Sequence, residues 1–301
     1  MDDQKDMILK EFKSFFSDEL SEKYPKTEID SFFFLLMDEY LQLKRIDTVL
    51  KPDFKIEQKQ LLILKEAIKK LKNEIPLQYI IGHTEFYGLP FLVDENTLIP
   101  RPETEELVAW ILEEIKELRI KKLQDILEYQ ENSLSILDIG TGSGCMAISL
   151  AKNLENCIIS AIDISENALK VAKKNSEVNK VAVNFRKLDI LKTKKLSQPY
   201  DVIISNPPYV RELEKIAIQN NVIQNEPHLA LFVSNENPLI FYDKIADLAK
   251  AQLTKNGILF FEINQYLGLD TIVLLKNKGF KTVVLRKDIF GNDRMVKATL
   301  F

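Results

Sequence analysis

From Ser135 to the C-terminus, short β-prone apolar runs alternate with helical stretches, and this alternation limits the possible folds more than any other feature. The runs at 135–139, 157–162, 181–188, 201–205, 257–263, 281–286 and 294–300 are predicted strands. Helices are predicted between them, at 144–153, 166–179, 238–253 and 267–278. Such a pattern implies a mainly parallel sheet with helices on both faces, because each parallel connection needs a crossover. The last two runs are separated only by a short loop containing Gly291, too short for a crossover, so the last strand is expected to be antiparallel.

The chain ahead of this region has a different character. Residues 1–75 contain no glycine, and Leu61, Leu62, Leu64, Ile68 and Leu71 recur at helical spacing. Thr27 is the expected N-cap of a Phe-rich helix, with Asp30 at its third position, and Lys51-Pro52-Asp53 is the expected break between helices. With 14 Lys and Arg against 16 Asp and Glu, this stretch is a mixed-charge helical bundle and not a basic nucleic-acid arm. Residues 76–100, punctuated by Pro76, Gly82, Gly88, Pro90 and Pro100, read as a β-hairpin connector. Pro102, followed by three acids within four residues, starts a helix expected to run to about residue 130. The resulting division is 1–75, 76–100 and 101–301.

Composition excludes several classes. A net charge of −4 argues against a broad polyanion binder. Cys145 and Cys157 are the only cysteines and His83 and His228 the only histidines, too few for a structural zinc site, so no metal is expected. Asp2 and Asp3 stand where a signal peptide carries its basic residues, and the longest apolar run, 32–37, is far short of a membrane span. A cytoplasmic location and no membrane partner are expected.

Two motifs carry the chemistry. Asp138-Ile139-Gly140-Thr141-Gly142-Ser143-Gly144 joins the first strand to a helix. Its glycines let a ligand approach the backbone, and the helix N-terminus offers free N–H groups; a purely structural tight turn is the competing reading. Asp163, at the end of the second strand, is placed to accept both hydroxyls of a ribose, or alternatively to cap the helix near Ser165. Asp189 follows the third strand, where it suits an adenine amino group with Ile190 or Leu191 packed on the ring, or again a turn cap. Asn206-Pro207-Pro208-Tyr209 follows the fourth strand. An Asn side-chain oxygen and a backbone carbonyl can accept both N–H bonds of a planar –NH2 group, and a Tyr ring can cover its face. In this order, the motifs point to S-adenosylmethionine-dependent methyl transfer to a planar nitrogen.

In these motifs the chain resembles the protein-(glutamine-N5) methyltransferases of peptide chain release factors, the HemK/PrmC family. The resemblance also rests on residues 76–82 (PLQYIIG), 85–90 (EFYGLP), 98–107 (LIPRPETEEL), 226–231 (EPHLAL) and 288–294 (DIFGNDR). It implies a class I S-adenosylmethionine-dependent methyltransferase fold, a Rossmann-like seven-stranded sheet; residues 1–75 match only in length and helical character, and this helical bundle is expected to contact the substrate. By resemblance, Gly140, Thr141, Gly142, Ser143, Gly144, Asp163, Asp189, Ile190 and Asn206 bind the cofactor. Asn206, Pro207, Pro208 and Tyr209 cradle the glutamine of the release factor's Gly-Gly-Gln motif, with Asn206, Pro207 and Tyr209 in the catalytic role. Arg101 and Glu103 either shape the pocket or serve a structural salt bridge or helix start. Two stretches depart from the family pattern: Glu262-Ile263-Asn264-Gln265 has Asn where Gly is usual, and residues 233–238 replace a Gly-Gly-containing loop.

The implied reaction is in-line attack of the glutamine nitrogen on the sulfonium methyl, with no general base assigned. Other readings share these residues: an N6-adenine or N2-guanine nucleic-acid methyltransferase, a catalytically silent release-factor-binding adaptor, and a methyltransferase of free glutamine or another small amide. The first lacks an evident basic surface or recognition domain. Intact Asn206 and Tyr209 weigh against the second, and the helical domain against the third.

Overall fold

A computed structural model of the chain describes residues 7–124, 133–217 and 220–301. They form two compact units, one of residues 7–82 with 220–225 and one of residues 83–124, 133–217 and 226–301.

The first unit comprises helices α1 (Leu9–Leu20), α2 (Lys26–Leu41), α3 (Arg45–Leu50), α4 (Gln58–Lys72) and α5 (Leu77–Ile81), with β1 (Met7–Ile8) paired antiparallel to β2 (Lys55–Ile56). Helical spacing brings Phe12 and Phe16 of α1 against Phe33 of α2, at ring separations of 6.4 and 5.8 Å. Leu64, Ile68 and Leu71 of α4 complete this core. Thr27 does not cap α2. The helix already begins at Lys26, after an extended Pro25 whose ring sets the entry, and Thr27 lies in the first turn.

The second unit opens with a hairpin, β3 (His83–Phe86) and β4 (Leu89–Leu92). Tyr87 and Gly88 have φ of 52° and 70°, the paired positive values of a type I′ turn. Helix α6 (Pro102–Gln124) follows; the remainder of the helix expected to residue 130 lies outside the described residues. Then come β5 (Leu134–Ile139), α7 (Cys145–Asn153), β6 (Cys157–Asp163), α8 (Glu166–Asn179), β7 (Asn184–Lys187) and β8 (Tyr200–Ser205). Short pieces occupy the next stretch: β9 (Val210–Arg211), α9 (Asn220–Asn225, in the first unit), α10 (His228–Leu231) and β10 (Phe232–Val233). The unit ends with α11 (Ile240–Gln252), β11 (Leu253–Glu262), α12 (Gly268–Asn277), β12 (Thr282–Lys287) and β13 (Asp293–Thr299).

The seven-stranded sheet has the order β12-β13-β11-β8-β5-β6-β7. Its pairs from β7 to β11 are parallel, and only β13 runs antiparallel to its neighbours. Alternate residues face opposite layers, as the two-residue period of a strand requires. Ile136, Val202, Ile204 and Phe260 pack with Trp110, Ile111 and Met146, whereas Leu137, Ile139, Ile203 and Phe261 pack with Tyr242, Ile245 and Leu275. Strand β7 is shorter than the predicted 181–188 because Lys180 ends α8 in a left-handed conformation and Val181 N–H bonds back to Ser176, taking 181–183 out of reach. β11 starts earlier than predicted, across a register shift between Leu253 and Ile258.

The hairpin is tied to α8 by side-chain amides. The buried Asn175 accepts from Leu92 N–H at 2.7 Å and donates to Leu92 O at 3.0 Å and Ser143 O at 2.9 Å. Asn179 donates to Pro90 O at 2.8 Å. Asn175→Ala would leave three backbone groups without these partners, so it is expected to lower stability by roughly 1–3 kcal/mol. Urea unfolding checks this, and an unchanged midpoint would refute the assigned role.

Candidate functional site

Parallel register brings the ends of four strands together. Ile139 is paired with Ile162 and with Ser205, and Ser205 with Phe261, so Gly140, Asp163, Asn206 and Glu262 each stand one step further along the same sheet edge. A cavity of about 320 Å³ opens there. Its walls include Gly140, Thr141, Gly142, Ser143, Asp163, Asp189, Ile190, Asn206, Pro207 and Pro208, so residues from both sequence motifs meet in one space.

The glycine loop has the geometry of a ligand cradle. Gly140 and Gly142 have φ of 75° and 55°, and beside each Cα no atom lies within 4 Å of the place a Cβ would occupy. Gly144 differs: a Cβ there would meet Ile148 Cδ1 at 2.9 Å and Ala172 Cβ at 3.1 Å, and the residue does not line the cavity. Its glycine is demanded by helix packing. Beneath the loop, the fully buried Asp138 accepts from Thr141 Oγ1 at 2.7 Å, and burial pushes its carboxyl up to about 7.

Asp163 lies on the cavity wall, but the helix cap that its position suggested is supplied by Ser165 instead. Its Oδ2 accepts from Gly142 N–H at 2.9 Å and its Oδ1 from Ser165 N–H at 2.8 Å, while the N-cap of α8 is Ser165 itself. A carboxylate has about four lone-pair sites, so these backbone bonds leave it acceptor capacity. Burial raises its pKa, against the pull of these backbone bonds. Asp189 likewise caps its turn, accepting from Leu191 N–H at 3.1 Å. Lys192 stands 3.1 Å from its Oδ2, and that bond holds its pKa low.

Asn206 is half-buried on the cavity wall, with Nδ2 3.4 Å from Thr104 Oγ1. Thr104 Oγ1 in turn donates to Glu262 Oε2 at 2.6 Å, and Tyr209 OH donates to Glu262 Oε1 at 3.0 Å. Glu262 is buried, which raises its pKa; the two hydroxyl bonds and the charge of Arg294 oppose that rise. Tyr209 is not among the cavity-lining residues. Its ring packs against the core on the Tyr242 side of the sheet, and Asn264 Nδ2 holds its carbonyl at 2.9 Å.

Arg101 lines the cavity and pairs with the buried Glu226 at 2.5 Å, which also accepts from Ile99 N–H at 3.4 Å. The salt bridge and the pocket role are thus one arrangement. Glu103 is not on the cavity wall. Thr104, Leu98, Leu229 and Phe241 do line it, and none was assigned a role from sequence. Thr104 lies inside a segment that carries the family resemblance and Glu262 opens a stretch that departs from it, and only the folded contact reveals that they touch. Among the described residues no cluster of metal-ligating side chains occurs, and no helix is long and apolar enough to cross a membrane.

Comparison with known proteins agrees with this architecture. A family model for the methyltransferase small domain matches residues 120–231, and one for the PrmC N-terminal domain matches residues 11–82. The release factor glutamine methyltransferase of Flavobacterium psychrophilum is 52% identical over 97% of this chain and 99% of that protein. The protein of the same name from Bacteroides thetaiotaomicron is 41% identical over 93% of this chain and 95% of its own length. The solved structure of the hMettl16 catalytic domain in complex with MAT2A 3′UTR hairpin 6 shares the fold, with a TM-score of 0.54 and 15% identity over 80% of this chain and 82% of that one. The extent and identity of these matches place the chain in the release factor glutamine methyltransferase family.

Proposed function

We propose that the cavity holds S-adenosylmethionine along Gly140–Ser143, Asp163, Asp189 and Ile190, and presents its methyl group to a release-factor glutamine held by Asn206 and Pro207. The activity itself, methylation of release factor glutamine from S-adenosylmethionine, is that of the family. The single observation that supports the residue assignments is the meeting of Asn206, Pro207 and Pro208 with the glycine cradle in one cavity. Gly140 and Gly142 leave room for the cofactor against bare backbone, and Asp163 receives the ribose hydroxyls.

When bound, S-adenosylmethionine supplies an electrophilic sulfonium methyl. The chain's own task is orientation. The Asn206 Oδ1 and the Pro207 carbonyl accept the two amide N–H bonds, directing the nitrogen along the line of attack, and the proton leaves after transfer. Positioning of this kind can supply roughly 7–11 kcal/mol in favourable cases. The apolar walls Pro208, Ile190 and Phe241 suit a step in which charge is lost. Tyr209, tethered to Glu262, supports the turn from behind. The target is the glutamine of a Gly-Gly-Gln motif, the partner a release factor and not a nucleic acid, and the site of action cytoplasmic.

The helical unit is assigned to substrate grip. On α4, Leu62 and Ile63 are exposed beside Tyr40 and Ile80 in a shallow apolar depression suited to a protein surface.

Two measurements test these assignments. With labelled S-adenosylmethionine and a cognate release factor, peptide mass spectrometry is expected to find one methyl on the Gly-Gly-Gln glutamine. That methyl should be absent from a Gly-Gly-Ala substrate and reduced about 100-fold in rate with Asn206→Ala. Transfer to DNA or RNA instead would refute the reading. Deleting residues 1–75 is expected to raise the release-factor KM about tenfold or more while cofactor affinity stays within about twofold; full activity, or equal loss of both, would refute the division of labour.

A further inference from the structure

The side-chain amide of Asn206 can face its substrate with either end, and only the oxygen end accepts an N–H. Something must choose between the two. Asn206 meets Thr104, whose single hydroxyl proton is already committed to Glu262 Oε2 at 2.6 Å. Toward Asn206 the threonine therefore offers only a lone pair, and the group it can receive is Nδ2, 3.4 Å away. That distance is long for a hydrogen bond, as is common in catalytic contacts before substrate binds. With Nδ2 turned to Thr104, Oδ1 accepts no hydrogen bond among the described residues.

We propose that Thr104 and Glu262 form a polar relay that fixes the Asn206 carboxamide with its oxygen toward the substrate, making both of them positioning residues for methyl transfer. The relay has a direction because it ends in a carboxylate, which only accepts. Glu262 takes Thr104 on one oxygen and Tyr209 on the other, and its backbone carbonyl takes Tyr242 OH at 3.3 Å. Arg294, held by Asp288 at 3.2 Å, supplies a favourable charge nearby, whereas Glu103 opposes it. An amide at position 262 could donate to Thr104, freeing the threonine proton for Asn206 Oδ1 and reversing the carboxamide. The proposal rests on Asn206 being the acceptor for the substrate amide.

The test uses the full-length enzyme with a release factor as acceptor. Initial rates, cofactor affinity by calorimetry and thermal unfolding are measured for Thr104→Val, Thr104→Ser, Glu262→Gln and Asn206→Ala. Thr104→Val and Glu262→Gln are expected to lower kcat about tenfold to 100-fold, with release-factor KM and cofactor Kd within about twofold. Thr104→Ser should restore most of the rate, and Thr104→Val should add no further loss in the Asn206→Ala background. The relay is overturned by wild-type kcat in Thr104→Val, by equal losses in the Val and Ser variants, by loss of cofactor binding with the rate, or by an undiminished Val effect without Asn206. A normal rate in Asn206→Ala would instead sink the acceptor assignment on which the relay rests, whereas a slow Asn206→Ala beside a normal Thr104→Val sinks the relay alone.

Discussion

Parallel strand register is the constraint on which the rest of the site depends. The pairings of Ile139 with Ile162 and Ser205, and of Ser205 with Phe261, put Gly140, Asp163, Asn206 and Glu262 at one edge. A slip of one residue in any strand would turn its buried set to the opposite layer and move its functional residue away from the others. The register is held by two different cores. Ile136 and Phe260 belong to one face and Ile139 and Phe261 to the other, so every strand residue is committed to a side. The same burial that stabilises the sheet therefore aligns the chemistry at its end.

Beyond the sheet edge, loops are held by buried polar groups instead of regular ladders. Glu226 fixes Arg101 and Ile99, Asn175 fixes β4 and Ser143, and Glu262 fixes Thr104 and Tyr209. Each is nearly removed from solvent, where an unpaired polar group is costly and a paired one admits a single arrangement. These three side chains gather segments far apart in sequence around one cavity. A carboxylate is suited to the task because it accepts from two directions and donates to neither.

Much of this was legible beforehand. The alternation of apolar runs with helical stretches located all seven strands, and the short loop at Gly291 foretold that β13 would be antiparallel. Gly140 and Gly142 could be read as a cradle because φ above zero and absent side chains are local properties. Gly144 looked the same in sequence, yet its reason is Ile148 and Ala172, which a linear reading does not place. Asp189 was balanced between adenine contact and turn capping; the fold shows the cap and leaves the residue on the cavity wall. The short pieces between 210 and 233 have no period of either kind and were not anticipated.

The sequence by itself determined the class of sheet, the order of its motifs and the type of chemistry those motifs can perform. Periodicity, turn residues and functional groups are all carried within a few residues of chain. Only the tertiary structure decided that Thr104 of α6 and Glu262 of β11 would meet behind Asn206, and that Tyr209 would be drawn to Glu262 and away from the cavity wall. Those contacts join residues more than 50 positions apart, the Thr104–Glu262 pair 158 apart. They exist because packing leaves each buried donor and acceptor few partners, and no local pattern in the chain encodes that choice.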